Sequence, residues 1–351
     1  MKRIFTVLLA TCLLLNIACF AAASEPTFSI EEVATYFMND ALEQSNSFHI
    51  PDLNGKNIYL CNAMHPYVLN GNELQVNNNV VYYLVKTNDE IIASITLCYA
   101  NGTLMSASFD PYVADIINDN CEVDEAFQLI GQDGILYVKT ADDVCTSNAQ
   151  TFTRTSSVDT VVRAIENAEG DLRELSVKSH LTDIITNPVA SRSSKILNVP
   201  YVAQVSNTCW AAAAAAFGRY YTGNTYAHYT AQDLAALMGI PLDDGAGMSA
   251  TRTVLSRYYN LSTTYYSGRL SNSVAINLFQ QNKPIIAGFQ GDRWHMVVLC
   301  GYDDHATGVN ITFYVRDSNY SYLRSVISYS NTGPLVMDYY GDEKTWEEGL
   351  Y

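Results

Sequence analysis

The sequence predicts an α+β protein of two units, a helix with an antiparallel sheet first, then helices followed by an antiparallel sheet. Three observations carry this expectation. Cys209-Trp210 opens a run of six alanines, Ala211 to Ala216, and Gly223 follows shortly after; alanine is the strongest helix former and glycine a natural helix stop. Val309 to Arg316 alternates Val309, Ile311, Phe313 and Val315 with mixed residues, which is the period of a strand. The charge is also uneven. Of the net −16 carried by 351 residues, the part from Ile196 onward holds 9 Lys and Arg against 12 Asp and Glu, net −3, while residues 24–195 hold 9 against 24, net −15. Such asymmetry marks units with different jobs. It also argues against a nucleic-acid partner, since phosphate binding needs a basic surface.

Residues 1–23 read as a secretory signal peptide: Lys2-Arg3, an apolar core from Ile4 to Phe20, then Ala21-Ala22-Ala23 before Ser24,. Lipid anchoring at Cys19 is set aside, because Asn16 stands where leucine is usual. No other apolar run is long enough to span a membrane, so no stable membrane association is expected. Residues 24–178 form the first unit. Ser29 with Glu32 is a capping-box pattern heading a helix whose Ile30, Val33, Ala34 and Phe37 share a face. Strand-like pieces follow at Asn57–Leu60, Val80–Lys86, Ile91–Tyr99, Leu104–Phe109 and Gly134–Lys139, with helices at Pro111–Asn118 and Val158–Ala168. Cys61, Cys98, Cys121 and Cys145 form up to two disulfides or stay as buried thiols; the sequence leaves both open. Residues 179–195, polar and carrying Pro188, read as a linker. No CxxC, HExxH or glycine-rich phosphate motif occurs, so neither a metal nor another cofactor is expected.

The second unit, residues 196–351, carries the chemistry. Val199-Pro200-Tyr201-Val202 is an extended entry, and Gln204 stands five residues before Cys209. At the first turn of its helix, Cys209 meets free N–H groups and the positive end of the helix dipole, which favour a thiolate. Gln204 and the Cys209 N–H would form a two-donor oxyanion hole. His295 heads an apolar run ending in Gly301-Tyr302-Asp303, where a buried strand would start. Asp317 directly follows the Val309–Arg316 strand and is the expected orienter of the imidazole, with Asn319 as the alternative. His305 is a rival base, but the turn after Asp303 carries it away. Helices are expected at Thr230–Met238, Met248–Tyr259 and Ser273–Gln281, with strands at Ser262–Tyr266 and Pro284–Phe289. Trp210 and Cys300 read as packing residues. A nucleophile, a base and an orienter in this order are what cysteine acyl transfer requires.

Val199, Pro200, Gln204, Cys209, Trp210, Ala211, Ala212, His295, Gly301, Tyr302, Asp303 and Asp317 together resemble papain-like cysteine peptidases. The branch that they resemble is that of bacteriocin-processing (double-glycine) peptidases, with staphopain-type secreted enzymes as relatives. The resemblance covers roughly Ile196 to Tyr329. Where that branch often has Asp-Pro after the last strand, this chain has Asp317-Ser318. The resemblance implies a two-lobed fold with Cys209 and His295 facing across a cleft, and a thiol protease (a hydrolase) acting on a protein or peptide substrate. The first unit resembles a propeptide, so a zymogen restrained by residues 24–178, as an intramolecular inhibitor, and cut near Arg192 is expected. A non-catalytic secreted binding or inhibitory protein on the same scaffold is the alternative.

Overall fold

The computed structural model describes residues 29–43, 45–48, 50–53, 55–122, 125–132, 134–146, 158–168, 172–181, 193–223, 228–304, 310–340 and 342–351. The signal-peptide reading of 1–23, most of the linker with Arg192, and His305 lie outside them. The fold is α+β. In the first half, α1 (Ile30–Glu43) and α2 (Ser45–Phe48) precede β1 (Tyr59–Cys61), β4 (Val80–Lys86), β5 (Ile91–Ala100) and β6 (Thr103–Asp110), with α3 (Tyr112–Asn120) next. The capping box at α1 forms as the sequence indicates: Ser29 N–H donates to Glu32 at 2.8 Å, and Glu32 N–H donates to Ser29 Oγ at 3.1 Å. A second sheet of β2 (Tyr67–Asn70), β3 (Glu73–Val76), β7 (Gln128–Gln132), β8 (Ile135–Lys139) and β9 (Val144–Thr146) lies beside α4 (Val158–Asn167). All six described cysteines are free thiols.

The second half supplies α5 (Cys209–Thr222), α6 (Ala231–Met238), α7 (Met248–Tyr259), β12 (Tyr265–Ser267) and α8 (Asn272–Gln280). These are followed by β13 (Ile285–Gln290), β14 (His295–Asp304), β15 (Ile311–Arg316), β16 (Leu323–Ser328), β17 (Val336–Asp338) and β18 (Glu343–Leu350). Helix α5 ends where Gly223 takes the left-handed conformation, φ 59°. Its residues from Cys209 to Gly218 are all buried, because small alanine side chains let the helix sink between α7 and β14. Gly218 is required at that depth. A Cβ there would lie 2.4 Å from the Tyr259 ring. Among the described residues no helix is long and apolar enough to cross a membrane.

The two halves share one sheet. Its order is β10-β1-β4-β5-β6-β16-β15-β14-β13-β18-β12, where β10 is Val177–His180. The seam is the antiparallel pair β6–β16, with Phe109 opposite Ser325 and Ala107 opposite Ile327. The predicted linker enters this sheet at both ends. Its first residues belong to β10, and Ser193–Ile196 forms β11, paired with β14. Side chains also cross the seam. The Tyr314 hydroxyl donates to Asp40 at 2.6 Å and the Tyr82 hydroxyl to Asp338 at 2.6 Å, both buried.

Candidate active site

Cys209 opens α5 behind Thr208, whose carbonyl accepts from Ala211 and Ala212. Helix geometry leaves the Cys209 N–H without an intrahelical acceptor. The preceding turn is sharp, with Ser206 at φ 54°, a conformation that non-glycine residues rarely adopt. It is tied down: the Ser206 hydroxyl donates to Asp243 at 2.6 Å, and the Asn207 amide donates to the Asp243 carbonyl at 2.6 Å.

His295 begins β14, where pairing with Phe289 of β13 fixes its backbone. Its Nε2 lies 2.9 Å from Asp317 Oδ1. With Nε2 so engaged, Nδ1 is the ring nitrogen left to serve the Cys209 thiol, which lines the same cleft. Asp317, at the end of β15, is wholly buried and accepts three further approaches. The Tyr339 hydroxyl donates to Oδ2 at 2.8 Å, the Asn319 N–H donates to Oδ1 at 3.0 Å, and Arg324 Nη1 stands 3.5 Å from Oδ2. Asn319 therefore meets this carboxylate through its backbone, and it is Asp317 that meets the imidazole.

The electrostatics follow. Burial raises the Cys209 pKa, but the His295 hydrogen bond and charge outweigh it and leave the thiol below its ordinary value. Burial works against the His295 charge, yet the Asp317 carboxylate lifts the imidazole to about 9. Burial likewise opposes ionisation of Asp317, and the facing imidazolium and Arg324 bring it down to about 2. Both shifts favour the thiolate–imidazolium form of the pair.

Gln204 reaches the same place from the strand-like entry. Its Nε2 donates to the Ser206 carbonyl at 3.0 Å, and its Oε1 accepts from the Ser318 hydroxyl at 2.7 Å. One amide hydrogen is left over. Gln204, Cys209 and His295 line a cleft of about 800 Å³, together with Asp243, Trp294 and Glu348. From the first half of the chain only Gly134 borders it, among the described residues. Trp210 is fully buried. Cys300 sits in the core of β14 with its thiol pushed up to about 12 by burial. Among the described residues no group of three or more His, Cys, Asp or Glu side chains is placed to hold a metal ion.

Sequence reasoning misses three contributors: Tyr339, Arg324 and Asp110. Arg324 is 1% exposed and stacks between the rings of Tyr320 and Tyr339, each 4.9 Å from its guanidinium carbon. Its Nη2 stands 3.5 Å from Asp110 Oδ2. The dense tyrosines around it (Tyr320, Tyr322, Tyr339 and Tyr340) are the available signal, since buried hydroxyls need partners.

The chain matches no curated protein. Residues 196–340, the segment bearing Gln204, Cys209, His295, Asp317 and Arg324, match the model of the Peptidase_C39 like family, which supports a papain-like cysteine peptidase there.

Proposed function

We propose that the chain is an exported cysteine peptidase in which Cys209 is the nucleophile, His295 the general base and acid, Asp317 the orienter and Gln204 an oxyanion donor. One observation carries the reading: the imidazole of the buried His295–Asp317 pair, joined at 2.9 Å, lines the same cleft as the Cys209 thiol, whose pKa it lowers. The Cys209 thiolate attacks the peptide carbonyl, forming the C–S bond. The developing oxyanion takes hydrogen bonds from the Cys209 N–H and the Gln204 amide. As the C–N bond breaks, His295 gives its proton to the leaving amine. Water then attacks the thioester with His295 as base, the C–S bond breaks, and the proton returns to the imidazole beside a regenerated thiolate. Export through residues 1–23 belongs to the same reading.

The test compares the purified chain with Cys209→Ala and His295→Ala on fluorescently labelled casein. Hydrolysis by the parent and none by either variant is the expected result. Alkylation by iodoacetamide at about pH 6 should be fast at Cys209 alone, because only an activated thiolate reacts quickly there. Wild-type hydrolysis by Cys209→Ala would sink the assignment. A chain that neither hydrolyses nor alkylates would instead be a binding protein.

A further inference from the structure

The line of contacts that ends at Cys209 does not begin in the second half of the chain. Asp110 closes β6, the last strand of the first half before the seam. Its Oδ1 accepts from the Tyr322 hydroxyl at 2.8 Å and the Tyr112 N–H at 2.9 Å, and its Oδ2 accepts from the Tyr340 hydroxyl at 3.0 Å. Arg324 lies between this carboxylate and that of Asp317, 3.5 Å from each. All three residues are buried, and charges out of water persist only when paired. Burial works against the Arg324 charge, and the Asp110 carboxylate and surrounding tyrosine oxygens outweigh it. The groups facing the pair come from every side: His295 of β14, Tyr320 and Tyr322 beside β16, Tyr339 and Tyr340 after β17, and Tyr112 of α3.

We propose that Asp110 and Arg324 are positioning residues for the Asp317–His295–Cys209 line, so that the first half of the chain is a permanent support of the active site rather than a detachable inhibitor. Two observations point the same way. The first half borders the cleft at Gly134 only, among the described residues, while its Asp110 reaches the Arg324 behind the site. Removing it would also strip β16 of its partner β6 and leave Arg324 with one carboxylate instead of two. This inference rests on the peptidase reading for its kinetic consequence, but not for its geometry.

Three variants of the full chain test it: Asp110→Asn, Arg324→Met and Arg324→Lys. Each is first checked for folding by near-ultraviolet circular dichroism. Neither residue lines the cleft, so KM for labelled casein should hold while kcat falls about tenfold to a hundredfold, the scale of a slightly misplaced catalytic group. The second readout is the rate of Cys209 alkylation against pH, which needs no peptide hydrolysis. Removing the Asp110 charge should lower the pH at which the imidazolium is lost, removing the Arg324 charge should raise it, and Arg324→Lys should sit near the parent. A purely structural role would not move the two limbs in opposite directions. Folded variants with parental kcat and parental alkylation profiles would overturn the proposal. Inactivity of the parent on casein with the profile shifts intact would instead remove the peptidase reading and leave the positioning role.

A second experiment does not depend on variants that might fail to fold. A site for a specific protease is inserted within residues 182–192 and cut in the native protein. The two pieces should co-elute on gel filtration, with turnover and alkylation unchanged. Release of the first piece with a rise in turnover would establish the inhibitor and overturn the support.

Discussion

The Ser318 hydroxyl donates to Gln204 Oε1 at 2.7 Å, so the segment that carries Asp317 also anchors the Gln204 amide at the cleft. Asp317 and Ser318 are neighbours in sequence, and one turn thus fixes two sides of the site. The Ser318 side chain gives this turn a donor aimed at the glutamine.

Gln204→Ala should lower kcat by about 10² to 10³, as loss of one oxyanion donor does, with KM little changed. Ser318→Ala removes only the anchor of the amide and should cost about tenfold, within the range for a small misplacement of a catalytic group. Steady-state kinetics on labelled casein separates the two. Equal losses would mean that Ser318 acts on more than Gln204.

The pH dependence follows from the shifted groups. The reactive form needs the Cys209 thiolate, whose pKa is lowered, and the His295 imidazolium, raised to about 9. Alkylation and kcat/KM should therefore persist well below the ordinary thiol pKa, and the imidazolium-dependent part of kcat/KM should decline through about pH 9. Asp317→Asn removes a main cause of the His295 shift, so its alkaline limb should move to lower pH. Stability carries matching signs. His295 is raised, so its contribution is full below the unfolded value near 6.5 and fades as pH rises through 9. Asp317 is lowered to about 2, so its contribution is full above the unfolded value near 3.8 and fades as pH falls through 2. Thermal melts from pH 2 to 10 check both limbs.

Trp294 precedes His295, lines the cleft and is 47% exposed. An exposed aromatic face at the mouth of a cleft offers apolar contact area to an extended peptide. Trp294→Ala should raise KM several-fold at nearly constant kcat, the pattern of a contact made equally in ground and transition states. A fall in kcat at constant KM would place the indole in the chemistry instead.

Gly218→Ala looks harmless by propensity, since alanine is the stronger helix former. The Tyr259 ring, 2.4 Å from the position of the new Cβ, makes it an overpacking change. The expected loss is about 1–3 kcal/mol, visible as a lower melting temperature. A variant as stable as the parent would show that α7 can retreat.

Much of the site is legible in the amino-acid sequence because it depends on local signals. Six alanines after Cys209 and the glycine stop define α5, Ser29 and Glu32 define the start of α1, and alternation defines β15. The order Gln204, Cys209, His295, Asp317 is also local in the sense that Cys209 and His295 open their elements, Asp317 directly follows its strand, and Gln204 stands in the short entry before α5. What escapes is long-range. In isolation Arg324 within Leu-Arg-Ser-Val-Ile-Ser resembles the wet face of an edge strand, yet all six residues of β16 are buried. The strand is central only because β6 covers its other side, a pairing between residues more than 200 positions apart. No period or capping pattern reports such a partner. The same blindness makes residues 179–195 read as a linker, although their ends are paired strands.

The seam between β6 and β16 also sets a timetable. Phe109 emerges from the ribosome 216 residues before Ser325, the residue it pairs with, and contacts of such separation form late, after costly loop closure. A nascent chain that has reached His295 already holds both the thiol and the imidazole. It still lacks Asp317, Arg324, Tyr339 and the strand Glu343–Leu350 that pairs with β13. Synthesis therefore delivers the orienting groups last. Under the peptidase reading proposed above, this is a form of safety built into the order of manufacture, because the complete Asp317–His295–Cys209 line exists only once nearly the whole polypeptide has been made and closed on itself.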